Sequence, residues 1–126
     1  VTDRKPTENE YKAISIGWVI VKSVKSNAIV LSNKEKILGV GAGQMSRVDS
    51  TKIAIRKSKE NNLNLDGSII ASDAFFPFSD SIEIAAQEGI VGIIQPGGSI
   101  KDKEVIKVAN KLNLFMIFTR ERHFLH

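Results

Sequence analysis

The stretch from residue 68 to 118 constrains the chain most, because short apolar runs alternate there with amphipathic segments. Residues 68–71, 90–94 and 114–118 are nearly continuous apolar runs, as strands covered on both faces require. Between them, 80–88 and 102–112 read as helices closed by Gly89 and Asn113. In the second helix Val105, Val108, Ala109 and Leu112 share one face. Strand–helix–strand–helix–strand implies right-handed crossovers and three parallel strands.

The upstream half completes the sheet. Residues 7–24 read as a helix, with Thr7 and Glu10 as a capping box and Tyr11, Ile14, Trp18 and Val21 along an apolar face. Residues 28–31 and 37–40 flank the polar run Ser32-Asn33-Lys34-Glu35-Lys36, which predicts a hairpin. Ser46 and Asp49 form a capping box for a helix to about Asn61, and 61–67 is a polar loop. The result is an α/β chain with a mixed sheet of about five strands.

Composition narrows the chemistry. The 126 residues fit one domain. With no cysteine, disulfides, thiolate metal sites and cysteine nucleophiles are excluded, and a reducing cytoplasm is the expected setting. No apolar run approaches the roughly 18 residues of a membrane span. The net charge of +4 is spread among acidic neighbours without an aromatic-interleaved basic stripe, so neither nucleic acid nor membrane is an expected partner. The N-terminal residues 1–10 are polar and show no signal peptide, and a start at Val1 fits a processed product or a piece of something longer.

Ligands of such sheets bind beyond the carboxyl ends of the strands, so the loops there hold the candidate residues. Gly39-Val40-Gly41-Ala42-Gly43 lacks the spacing of a dinucleotide fingerprint, and there is no Walker lysine motif. It can still be an anion site, with close backbone approach, a following helix N-terminus and Arg47 in its first turn, or simply a tight turn beside a surface arginine. Asp73 and Asp80 bracket Phe75, Phe76, Pro77 and Phe78. The phenylalanines suit core packing or a wall for a flat ring, and a carboxylate beside such a wall could bind a heterocycle's amino groups. Asp80 also suits an N-cap, with Glu83 completing its box. Gln95-Pro96-Gly97-Gly98-Ser99 offers a second helix-terminal anion site, or a turn capped by Ser99 with Asp102. Beyond the last strand lie Arg122, His123 and His126; two histidines without further ligands are a weak metal signal, and no metal is expected. The H-x-E and P-C-x-x-C signature of zinc deaminases is missing.

Five motifs in order, 25–29 (Lys-Ser-Asn-Ala-Ile), 41–47 (Gly-Ala-Gly-Gln-Met-Ser-Arg), 72–78 (Ser-Asp-Ala-Phe-Phe-Pro-Phe), 95–99 (Gln-Pro-Gly-Gly-Ser) and 122–124 (Arg-His-Phe), span essentially the whole chain. Together they resemble the C-terminal part of the bifunctional purine-biosynthesis family, AICAR transformylase/IMP cyclohydrolase. The resemblance implies that 1–126 is a C-terminal subdomain of the transformylase, with a three-layer α/β/α, cytidine-deaminase-like fold that lacks zinc. It implies formyl transfer from 10-formyltetrahydrofolate, as co-substrate, to the 5-amino group of AICAR, giving FAICAR. By position it assigns Asn27, Arg47, Phe75 and Arg122 to AICAR and Asp80, Ile100 and Lys101 to the folate, with Asn27 also in the transfer itself. Ser23, where relatives often carry histidine, departs from the pattern without catalytic meaning. The family's catalytic Lys-His pair and its cyclohydrolase half have no counterpart in this chain. Its sites also lie at a homodimer interface, so the resemblance makes the rest of the bifunctional chain and a second copy necessary partners. Two other readings of the same edge are a stand-alone nucleotide- or folate-binding module without catalysis, and an interaction domain whose pocket is unused.

Overall fold

The computed structural model describes residues 1–76 and 79–120. The elements run α1 (Glu8–Val21), β1 (Ile29–Ser32), β2 (Ile37–Gly41), α2 (Arg47–Glu60), β3 (Ile69–Ser72), α3 (Asp80–Gln87), β4 (Gly92–Gln95), α4 (Asp102–Lys111) and β5 (Phe115–Phe118). All the predicted elements form, and most ends shift by one to three residues. The sheet order is β2-β1-β3-β4-β5. β1 is antiparallel to both β2 and β3, whereas β3, β4 and β5 are mutually parallel.

Alternation along the strands sorts the core into two layers. Ile29, Leu31, Ile70, Ile93 and Met116 pack with Ala54 and Ile55 of α2, Ile82 and Ala85 of α3, and Val105 and Ala109 of α4. Val30, Ile69, Ala71, Ile94 and Phe115 face the other way, onto Ala13, Ile14 and Val21 of α1. The architecture is therefore α/β/α in three layers, with α1 the one helix on its face among the described residues.

Local chemistry fixes the element ends. Thr7 and Glu10 form the predicted capping box on α1, and Arg4 grips the Glu10 carboxylate with both terminal nitrogens, at 3.0 and 2.9 Å. The β1–β2 turn is closed by Asn33, whose side-chain oxygen accepts from the amides of Glu35 and Lys36. Gly89 and Asn113, with φ of 86° and 58°, end α3 and α4 in the left-handed conformation.

Three capping expectations need correction. On α2 the Ser46 hydroxyl accepts from the Asp49 amide, but among the described residues the return bond from Asp49 does not form. The N-cap of α3 is Ser79 rather than Asp80, so Asp80 opens the helix and its carboxylate accepts from the next amide, Ser81. On α4 the N-cap is Lys101 rather than Ser99. Ser99 instead accepts from the Lys101 amide, so the cap motif is spent on a turn one step earlier.

Candidate functional site

β1 runs against its neighbours, so the chain entering it lies beside the ends of β2 and β3. The register places Ile29 opposite both Gly41 and Ser72. One edge of the sheet therefore carries Asn27, the 42–46 loop, the loop after Ser72 and the loop after Gln95.

A buried ion pair anchors this edge. Arg47, in the first turn of α2, is 8% exposed, and Asp73 is fully buried. One terminal nitrogen of Arg47 donates to the Asp73 carboxylate, to Ser72 Oγ at 3.1 Å and to the Ala28 carbonyl at 3.4 Å. The other donates to Asn27 Oδ1 at 2.8 Å. Asp73 also accepts from the Ser26 hydroxyl and the Ala28 amide. Asn27 Nδ2 donates to the Gln44 carbonyl at 2.9 Å, and the Asn27 carbonyl accepts from Ser50 Oγ at 2.6 Å. The Ser26–Asn27 peptide bond is cis. Asn27 thus stands half-buried, bonded at both ends of its amide, with one Nδ2 hydrogen and one Oδ1 lone pair left over among the described residues.

This geometry changes two anion readings. A Cβ on Gly39 would lie 2.3 Å from the Ala54 carbonyl oxygen, and one on Gly41 would lie 1.8 Å from that of Ser50. These glycines let α2 press against β2, rather than letting an anion approach the backbone. Asp73 compensates the Arg47 charge, so Arg47 serves as a positioned hydrogen-bond donor, not a free cation. In the second loop the amides of Gly98 and Ser99 donate to the Asp102 carboxylate at 2.8 and 3.2 Å. An internal carboxylate already fills that turn.

The aromatic loop divides. Phe76 is core, 1% exposed, with its amide donated to Gln95 Oε1 at 3.1 Å, whereas Phe75 is half-buried. Gln95 is itself buried and reaches Met116 Sδ through Nε2, tethering the loop to β4 and β5. Asp80, Ile100 and Lys101 lie at the surface, Ile100 98% exposed and Lys101 3.6 Å from Glu104. Arg122, His123, His126, Pro77 and Phe78 lie outside the described residues. Sequence reasoning named Asp73, Gln95 and Ser26 only within their motifs and missed the contacts they make. Their residue types carry no signal of these contacts, and only the register across three strands brings them together.

Among the described residues, no group of three or more His, Asp or Glu side chains is placed to hold a metal ion, and no helix is long and apolar enough to cross a membrane.

Comparison with known proteins gives two consistent results. The family described as "AICARFT/IMPCHase bienzyme" matches residues 1–57. Proteins named "Bifunctional purine biosynthesis protein PurH" match all 126 residues, at 52% identity in Persephonella marina and 56% in Streptococcus agalactiae. The chain spans about a quarter of the length of these relatives, 24% in both cases. In fold it is similar to the dCMP deaminase of the cyanophage S-TIM5, with a TM-score of 0.61 and 16% identity, over 92% of this chain and all of that one. A deaminase/reductase of Thermotoga maritima, named for diaminohydroxyphosphoribosylaminopyrimidine and 5-amino-6-(5-phosphoribosylamino)uracil, follows at TM-score 0.53 and 13% identity, over 85% of this chain and 34% of its own. In sequence the chain is thus similar over its whole length to bifunctional purine biosynthesis proteins, and it is folded like a deaminase.

Proposed function

We propose that this chain is the C-terminal subdomain of an AICAR transformylase and supplies substrate-binding residues for formyl transfer from 10-formyltetrahydrofolate to AICAR. The observation that carries the reading is the Asn27–Arg47 pair: an amide held by its two ends at the strand edge, among residues where the resemblance puts AICAR. The deaminase-like fold supports it, because that fold is what the transformylase resemblance implies.

The chemistry joins the AICAR 5-amino nitrogen to the formyl carbon. The bond from that carbon to the folate N10 breaks, one proton leaves the amine, and N10 gains one. Asn27 can donate to the formyl oxygen or accept from the amine, which orients the pair and stabilises developing charge. Neither end of an amide is a base at neutral pH, so the proton shuttle comes from a Lys-His segment elsewhere in the longer polypeptide. The exposed Asp80, Ile100 and Lys101 take the folate side, and Phe75 and Arg122 join the AICAR side. Activity belongs to the full polypeptide as a homodimer in the cytoplasm, with no metal in the step.

Both activities of the bifunctional protein carrying this segment test the reading. Asn27→Ala is expected to lower formyl transfer about 100-fold, the cost of a lost transition-state donor, and to leave FAICAR cyclisation unchanged. Loss of cyclisation with formyl transfer intact would overturn the reading and assign the segment to the cyclohydrolase half.

A further inference from the structure

We infer that Asp73 is a positioning residue, which acts through Arg47 to fix the direction of the Asn27 amide. The inference rests on the formyl-transfer reading for its kinetic arm alone. Asp73 is fully buried and touches the amide only through intermediaries. Its carboxylate holds one terminal nitrogen of Arg47, with Ser72 Oγ and the Ala28 carbonyl sharing that nitrogen. Because a guanidinium is planar and rigid, fixing one arm aims the other, and that arm meets Asn27 Oδ1 at 2.8 Å. The far end of the amide donates to the Gln44 carbonyl. A flipped amide would set its NH2 against the guanidinium donors and its oxygen against a carbonyl, two repulsive contacts in place of two hydrogen bonds. Ser26 and the Ala28 amide hold Asp73 in turn, so the orientation of Asn27 is referred back to the β1–β3 register.

The kinetic test compares Asp73→Asn, Arg47→Gln and the double variant in the bifunctional protein. Asp73→Asn is expected to lower kcat/KM for AICAR about 10- to 100-fold, as loss of a hydrogen bond to a charged group does. The double variant should be no worse than Arg47→Gln alone, because both break one chain of contacts. Losses that multiply would overturn the inference. If Asp73→Asn does not fold, Arg47→Lys decides: lysine keeps the ion pair but has no second arm for Asn27. Its kcat/KM should fall at least 10-fold with the melting temperature held, and an unchanged kcat/KM would overturn the inference.

A second measurement is independent of activity. In the bifunctional protein the two Asn27 side-chain amide protons should be shifted from free-amide positions and slow to exchange with solvent in NMR spectra, and Asp73→Asn and Arg47→Lys should each move them toward the free-amide values. Signals unmoved by these changes would sink the inference. If the wild-type bifunctional protein transfers no formyl group, the proposed function fails, and the NMR result still decides the role of Asp73.

Discussion

The two ends of the loop-bearing edge are built differently. At the β1–β2–β3 end, Asn27, Arg47 and Asp73 are buried or half-buried, and each is fixed by at least two hydrogen bonds. At the β4–α4 end, Ile100 and Lys101 are exposed, and the Gly98 and Ser99 amides are turned inward to Asp102. The first end is a rigid polar cluster whose side chains are held by one another. The second is surface that a larger ligand, or another part of the polypeptide, would have to cover. Under the proposed function this contrast would divide the work: this segment would make the AICAR contacts itself and contribute only part of the folate contacts.

The contrast breaks most visibly through stability. Asp73→Ala leaves the Arg47 charge buried without its partner, so it should cost about 3–5 kcal/mol in chemical denaturation. Lys101→Ala, at the open end, should stay within about 0.5 kcal/mol. Equal effects at the two ends would remove the distinction. Gly41→Ala comes next. Its Cβ would meet the Ser50 carbonyl at 1.8 Å, so α2 must move, at about 1–3 kcal/mol or more. The displaced helix carries Arg47, so on the proposed function AICAR binding should weaken as well. An unchanged melting temperature in Gly41→Ala would contradict the close approach of α2 to β2.

A control away from the edge has the smallest effect. Burial raises the Glu10 carboxyl pKa, but hydrogen bonds from Arg4 and the Thr7 amide, with the Arg4 charge, outweigh it and hold the group below its ordinary value. A carboxyl lowered on folding stabilises the chain above its unfolded pKa, and that contribution is lost as pH falls through the folded value. Glu10→Gln should therefore cost up to about 1 kcal/mol at neutral pH, and the difference from wild type should fade below about pH 4. A gap that persists at low pH would place the effect in packing instead.

The elements were legible in the sequence because local periodicity carries them. Strand runs such as 69–72 and the α4 stripe of Val105 and Ala109 need no partner to be recognised. The caps at Asp80 and Ser99 were misplaced because adjacent residues of capping type compete, and the template cannot say which one the turn uses. The glycines at 39 and 41 leave two readings open in the sequence, because a Gly-rich stretch before a helix looks alike whether an anion or the helix itself comes close. The central role of Asp73 was not legible. Its partners are 26 residues upstream at Arg47 and 45 upstream at Ala28, joined only by strand register. The assignment of Asn27, Arg47 and Phe75 came from resemblance over the whole chain. Spacing alone gave only an edge with room for a polar ligand and a ring.

The central claim is that the bonded end of this edge is where AICAR meets the segment, and an NMR titration of the bifunctional protein with AICAR tests it most directly. Shifts should gather at Asn27, Gln44, Arg47 and Phe75, and vanish in Asn27→Ala. Shifts confined to the opposite edge, around Asn33 and Asp66, or a response unaffected by Asn27→Ala, would contradict it.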